Sequence, residues 1–203
     1  MHKYQILEKG KPLIQAENAI ILLHGRGANA EDIISLADEF CDETFYIAAP
    51  QANNNAWYPY SFLSPEARNE PWLSSAVQTI KRLLEEISVH IPAEKIYISG
   101  FSQGACLALE VCARYAIKYA GIIAFSGGLI GETIRTEKYR GNFEKTKVFI
   151  GNSDIDPHIP LIRCQESVNL LKLMGADVTL KIYPGMQHTI IPDEIETVKD
   201  LMF

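Results

Sequence analysis

The stretch Lys95-Ile96-Tyr97-Ile98-Ser99-Gly100-Phe101-Ser102-Gln103-Gly104-Ala105 decides how this chain folds. It opens on a short apolar run, turns through a G-x-S-x-G sequence at 100–104, and enters the nearly all-apolar segment Ala105 to Tyr115. A buried strand feeding a helix through a tight turn reads this way. A serine at the crest of that turn takes a strained backbone, and glycines on both flanks remove the side chains that would strike the crossing chain. The Ser102 hydroxyl is then pushed out of the sheet, beside the free N–H groups of the helix N-terminus, where developing negative charge is favoured.

The same alternation runs outward in both directions. Ala19 to Leu23, Phe45 to Ala49, Ile96 to Ile98, Gly121 to Phe125 and Val148 to Ile150 are continuous apolar blocks, the pattern of strands buried on both faces of a parallel sheet. Between them, Leu73, Val77, Ile80, Leu84, Ile87 and Ile91 recur at spacings of three and four, so an amphipathic helix is expected there, stopped by Pro92. A second helix is expected to carry Leu161, Cys164, Val168 and Leu171 and to end at Gly175. A third runs from Asn29 to Phe40, with Glu31 and Asp32 in its first turn. Val178, Leu180 and Ile182 alternate with Thr179, Lys181 and Tyr183, which reads as a late strand solvated on one side. Strand and helix repeated in this order predict a three-layer α/β/α sandwich with a mostly parallel sheet and right-handed crossovers, one domain over residues 1–203. The connections from Gln51 to Pro71 and from Gly127 to Thr146 are longer than such folds need, and connections of that length tend to be functional.

Composition narrows the function classes. With 203 residues, 47% of them hydrophobic, the chain can bury about 70% of its unfolded surface and needs no disulfide or metal to hold a core. Its net charge of −6 and lack of a basic run argue against a nucleic-acid partner. The apolar runs fall well short of the roughly 20 residues of a membrane-spanning helix, so no stable membrane insertion is expected, and the N-terminus lacks a signal-peptide core. Four scattered cysteines, none in a C-x-x-C pair, point to a reducing, cytoplasmic setting and to no metal site. Cys106 and Cys112 read as small core hydrophobes.

A serine hydroxyl needs a base, and the base an orienting acid. Asp156, in Asp154-Ile155-Asp156-Pro157-His158-Ile159-Pro160, and His188, in Tyr183-Pro184-Gly185-Met186-Gln187-His188, each follow a strand. Both therefore belong to the carboxyl rim of the sheet, with Ser102, where open α/β sheets bind ligands. The first strand leads into Leu22-Leu23-His24-Gly25-Arg26-Gly27-Ala28, a turn that leaves backbone N–H groups facing that rim. The N–H groups of Arg26 and Gln103 are the expected oxyanion hole, and His24 is read as shaping the turn. Asp154 stays open beside Asp156 as the triad acid.

Taken together, Leu23-His24-Gly25-Arg26-Gly27, Gly100-Phe101-Ser102-Gln103-Gly104, Asp156-Pro157-His158-Ile159-Pro160 and Tyr183-Pro184-Gly185-Met186-Gln187-His188-Thr189-Ile190 resemble the phospholipase/carboxylesterase family of α/β-hydrolases, which includes the acyl-protein thioesterases. The resemblance implies an α/β-hydrolase fold without a large cap domain. It also implies a cofactor-free serine carboxylesterase acting on small carboxylic esters, with thioesters and lysophospholipids as neighbouring substrates. One departure stands out: the loop Gly151-Asn152-Ser153-Asp154-Ile155-Asp156 is two residues longer than in much of the family and lacks its His-Gly pair, while Pro157 and the following His-Ile-Pro align Asp156 with the family's Asp-Pro turn. Trp57, Tyr58, Phe62 and Leu63 on the long first loop are expected to line the substrate site, and His158 and Arg26 to read a polar or anionic group. The expected partner is a small-molecule ester, a homodimer being compatible with the sequence. A non-catalytic receptor on the same fold is the rival reading.

Overall fold

The computed structural model describes all residues from Met1 to Phe203. Seven strands form one sheet: β1 (Ile6–Gly10), β2 (Asn18–Leu23), β3 (Phe45–Pro50), β4 (Ile96–Phe101), β5 (Gly121–Phe125), β6 (Lys147–Ser153) and β7 (Asp177–Tyr183). Their order is β1-β3-β2-β4-β5-β6-β7, with β1 antiparallel to β3 and every other pair parallel. The five apolar blocks of the sequence all lie in strands, and the central ones are buried on both faces because helices cover both.

Six α-helices accompany the sheet: α1 (Ala30–Ile34), α2 (Glu66–Asn69), α3 (Trp72–Ser88), α4 (Gln103–Arg114), α5 (Leu161–Leu173) and α6 (Pro192–Met202). The largest core joins one face of the sheet to Leu73, Val77, Ile80 and Leu84 of α3, to the whole of α4, and to Cys164, Val168 and Leu171 of α5. On the other face α1 packs Ala30, Ile33 and Ile34 on β2 and β3, and α6 packs Ile195 and Val198 on β5 and β6. The result is the α/β/α sandwich of an α/β-hydrolase.

Local chemistry explains where helices differ from expectation. The Asn29 side chain accepts from the Asp32 N–H and Asp32 accepts from Asn29 N–H, a capping box that starts α1. The helix ends at Ile34, short of the expected Phe40, and continues as a tighter 3₁₀ segment, Ser35–Glu39, as the Ser35 hydroxyl donates to the Asp32 carbonyl. Helix α3 stops at Ser88, three residues before the last periodic residue.

The expectation of a solvated face on β7 is corrected. Lys181 on that face donates to Thr197 of α6 at 2.8 Å, and Tyr183 is buried beneath the same helix. Sequence reading missed α6, although Pro192 at its first position, acidic residues after it and Ile195, Val198 and Leu201 spaced by three were its signal.

The crossover from β5 to β6 has no α-helix, only the 3₁₀ turn Thr136–Lys138, and a buried ion network stands in for one. Glu110 of α4, with no exposed surface, accepts from Arg114 at 2.7 Å, from the Tyr139 hydroxyl at 2.9 Å and from the Ile130 N–H at 3.1 Å, and pairs with Lys138 at 2.8 Å. Glu66 of α2 joins the same two cations. The network ties both long connections to the helix that begins at Ser102.

Candidate active site

The chain leaves β2 toward β3 on one side and leaves β4 toward β5 on the other. Between β2 and β4 the winding reverses and opens a crevice at the strand carboxyl ends. Ser102 stands in it. Its φ of 54° and ψ of −116° lie outside the regions open to ordinary side chains. The strain is held by Ser102 N–H donating to the Phe125 carbonyl at 2.9 Å and by Cys106 N–H donating to the Ser102 carbonyl at 3.0 Å. The glycines are required by space: a Cβ on Gly104 would sit 2.1 Å from the Leu23 carbonyl oxygen, and one on Gly100 would sit 2.5 Å from the Gly104 carbonyl carbon. Ser102 occupies the N-cap of α4 yet makes no capping bond, so its hydroxyl is left to other partners.

That partner is His188. Its Nε2 lies 2.8 Å from Ser102 Oγ, and its Nδ1 lies 2.7 Å from Asp156 Oδ2. The second carboxylate oxygen, Oδ1, accepts the N–H groups of His158 at 2.8 Å and Ile159 at 3.0 Å. Burial pushes the Asp156 carboxyl up, but the His188 bond and these two N–H groups outweigh it, and the group sits below its ordinary value. Asp154, left open by the sequence, does something else: its Oδ1 accepts the Gly185 N–H at 2.8 Å and so fastens the start of the His188 loop.

The turn after β2 supplies the facing donors. Arg26 N–H donates to no backbone carbonyl, while the next two N–H groups, of Gly27 and Ala28, donate to the carbonyls of Asn55 and Gly25. Gln103 opens α4, where N–H groups have no intrahelical acceptor. His24 is fully buried, accepts the Ala52 N–H at Nε2 and contacts the Gly25 carbonyl through Nδ1, so it braces the turn. Burial lowers its pKa, only partly offset by the Gly25 bond, which keeps the ring neutral. The Gln103 side chain spans to the long first connection, accepting Trp57 N–H at 2.9 Å and donating to the Tyr58 carbonyl at 2.9 Å. Nothing in the sequence pattern signalled this clamp.

A cavity of about 550 Å³ opens over Ser102 and His188, walled by Arg26, Tyr58, Tyr60, Phe62 and His158. Two expected wall residues are absent. Trp57 is turned inward, fully buried, its indole N–H donating to the His24 carbonyl at 2.9 Å, and Leu63 packs on the main core instead. Cys106, expected only in the core, forms part of the cavity floor, and burial holds its thiol up at about 12. Arg26 reaches back over the wall and donates to the carbonyls of Pro59 and Tyr60. A larger and more apolar cavity, about 630 Å³, lies between the C-terminal ends of α3 and α4 and contains none of Ser102, Asp156 and His188. No helix is long and apolar enough to cross a membrane.

The family model for phospholipase/carboxylesterase matches residues 5–202. The chain belongs to the phospholipase/carboxylesterase family. It is therefore an enzyme of the serine hydrolase type. The enzyme is 49% identical to a phospholipase/carboxylesterase from Dyadobacter fermentans of known structure, with a TM-score of 0.97 over 99% of this chain and 97% of that one. It is 31% identical to acyl-protein thioesterase 1 of Debaryomyces hansenii, over 89% of this chain and 88% of the relative. The Bacillus cereus carboxylesterase, 20% identical with a TM-score of 0.78 over 97% of this chain and 92% of that one, shares the fold.

Proposed function

We propose that the enzyme hydrolyses small carboxylic esters, and thioesters by the same steps, through Ser102, His188 and Asp156. The observation that carries this reading is the unbroken run of short contacts from Asp156 Oδ2 through both ring nitrogens of His188 to Ser102 Oγ. His188 Nε2 takes the hydroxyl proton as Oγ attacks the acyl carbon. Asp156, pinned by two backbone N–H groups, holds the imidazole tautomer and steadies its cation. The oxyanion of the tetrahedral intermediate is met by the N–H groups of Arg26 and Gln103, each such donor contributing about 3–4 kcal/mol in a comparable enzyme. The leaving alcohol or thiol takes the proton from His188. Water then attacks the acyl-enzyme with the same histidine as base and releases the acid and free Ser102.

The mixed wall of the cavity, with Tyr58 and Phe62 beside His158 and Arg26, suits a compact substrate with a polar group. The thioesterase name of the Debaryomyces hansenii relative favours keeping thioesters in the substrate panel. Lysophospholipids belong there too. Four free cysteines accord with a cytoplasmic location, and a small ester is the one partner this reading requires.

Fluorophosphonate labelling with p-nitrophenyl acetate hydrolysis tests the proposal. The parental enzyme should be labelled and active. Ser102→Ala should lose the label and about 10⁴-fold or more of the activity. A folded parental protein that takes no label favours the non-catalytic receptor, and Ser102→Ala retaining the parental rate refutes the triad.

A further inference from the structure

The loop carrying His188 is fastened three residues before the imidazole and three residues after it. Before it, Gly185 N–H donates to Asp154. After it, Ile191 N–H donates to Glu194 Oε2 at 3.1 Å. Glu194 is the third residue of α6 and has no exposed surface. Its other oxygen, Oε1, has no hydrogen-bond partner and is pressed against Gly151 of β6, where even a methyl group would collide with it at 2.1 Å. A buried carboxylate with one oxygen unpaired is costly, and an apolar residue would pack there without that cost. Helix capping alone is a weak reason to keep it, because Ile191 has no side-chain acceptor to complete the reciprocal box.

Its position offers a better reason. Gly151 lies five residues before Asp156 on the same strand and loop, and Ile191 lies three residues after His188. Glu194 thus spans the two segments whose separation sets the His188–Asp156 contact. We propose that Glu194 is a positioning residue: wedged between β6 and the end of the His188 loop, it sets where the imidazole stands against Asp156 and Ser102. This rests on the triad reading above and adds to it a residue that touches neither substrate nor nucleophile.

The wedge is sensitive to protonation. As a carboxylate, Glu194 holds the Ile191 N–H with a charge-assisted bond; as a neutral acid it is a weaker acceptor. Burial pushes its carboxyl up to about 7, the Ile191 N–H opposing that only in part. The ionisable groups around it are Asp193 on α6, which raises it further, and Lys181 and Tyr183 on β7. Lys181 is already paired with Asp193 at 2.5 Å, and the face of β5 and β6 beneath α6 is apolar, with Ile123, Phe125 and Phe149. The grip on the loop therefore tightens as pH rises through neutrality.

The test is kcat and KM for p-nitrophenyl acetate from pH 5.5 to 9 in three proteins. In the parental enzyme log kcat/KM should show, beyond a single-ionisation acid limb, a further step of about threefold near neutrality. Glu194→Gln keeps a neutral acceptor for Ile191 but cannot titrate, so it should lie about threefold below the parent on the alkaline plateau and converge on it at acid pH. Glu194→Ala should lose about tenfold in kcat on the alkaline plateau with KM within about twofold, a loss the glutamine variant recovers in part. Gly151→Ala, which crowds the same oxygen without altering charge, provides a second route and should also lower kcat and spare KM. A ratio of parent to Glu194→Gln that does not change with pH overturns the proposal, as does full kcat in folded Gly151→Ala. A parental enzyme that is neither labelled by fluorophosphonate nor active overturns the triad reading instead, so the two failures are distinct.

Discussion

Replacing Gly104 by alanine tests whether the close approach of α4 to β2 builds the site. The added methyl would start 2.1 Å from the Leu23 carbonyl oxygen, 2.5 Å from the Leu23 carbonyl carbon and 2.7 Å from the His24 carbonyl oxygen. All three are backbone atoms of a strand end held in the middle of the sheet, so no side chain can swing aside. Reaching even 3.0 Å from the nearest, the lower bound for real Cβ contacts, requires the helix start and strand end to part by about 0.9 Å. Such overpacking costs about 1–3 kcal/mol of stability, which for a chain of this size lowers Tm by several degrees. The catalytic loss should exceed that. The displaced residues are the neighbours of the Gln103 and Arg26 N–H groups, and a donor misplaced by about 1 Å forfeits roughly 100-fold in kcat. Urea denaturation and steady-state kinetics on the same preparation separate the two effects. An alanine variant with parental Tm and kcat within twofold of the parent would refute the reasoning, because the elbow would then have room it does not show.

Four further outcomes follow from the geometry. Asp156→Asn should lower kcat by about 10⁴-fold through the wrong imidazole tautomer, whereas Asp154→Ala should cost no more than about tenfold; equal losses in kinetic assays would contradict the separate roles. Glu110→Ala leaves Arg114 and Lys138 with Glu66 alone and deprives the buried Ile130 N–H and Tyr139 hydroxyl of their acceptor, and should cost about 3–5 kcal/mol, seen as a Tm drop on the order of 10 °C; an unchanged melting curve would count against the network. Between pH 4.5 and 7 the folded enzyme keeps a proton on Glu194 that the unfolded chain has lost, so its stability falls as pH rises through that window, by about 3 kcal/mol in all. Urea midpoints of the parent should fall relative to Glu194→Gln across that range, and a pH-independent difference would reject the perturbed carboxyl. Phe62→Ala should widen the chain-length profile for p-nitrophenyl esters, while Trp57→Ala should instead cost about 3–5 kcal/mol of stability; a reversed pattern would restore Trp57 to the cavity wall.

Much of this architecture is legible without coordinates, for identifiable reasons. Strands such as Ala19 to Leu23 and Gly121 to Phe125 are buried on both faces, so their apolar runs are continuous and unmistakable. The G-x-S-x-G turn is legible because sterics leave few other sequences for it. Side-chain direction in the irregular connections is not legible. Trp57 and Tyr58 are adjacent, aromatic and buried, yet one faces His24 and the other the cavity, a choice made by the Gln103 side chain from 45 or more residues away. The same holds for Asp154 and Asp156, two residues apart: which carboxylate meets His188 depends on a loop held by Asn152, whose amide donates to the Ile159 carbonyl at 3.0 Å. Helix α6 escaped notice because its apolar residues are few and their burial comes from β5 and β6, some forty or more residues earlier in the chain.

The dual use of Gln103 constrains how this enzyme can change. One residue carries the main-chain N–H proposed to meet the oxyanion and, with its side-chain amide, locks Trp57 behind the cavity wall and Tyr58 within it. Altering the chain path at Trp57 or Tyr58 to admit a bulkier acyl group would drag on the amide and so disturb the donor. Phe62, beyond the lock, is free of that penalty, whereas the Tyr60 carbonyl is held by the Arg26 guanidinium. Diversification of substrate range, by selection or in the laboratory, is channelled into the outer half of the wall, leaving the inner half as inherited scaffold.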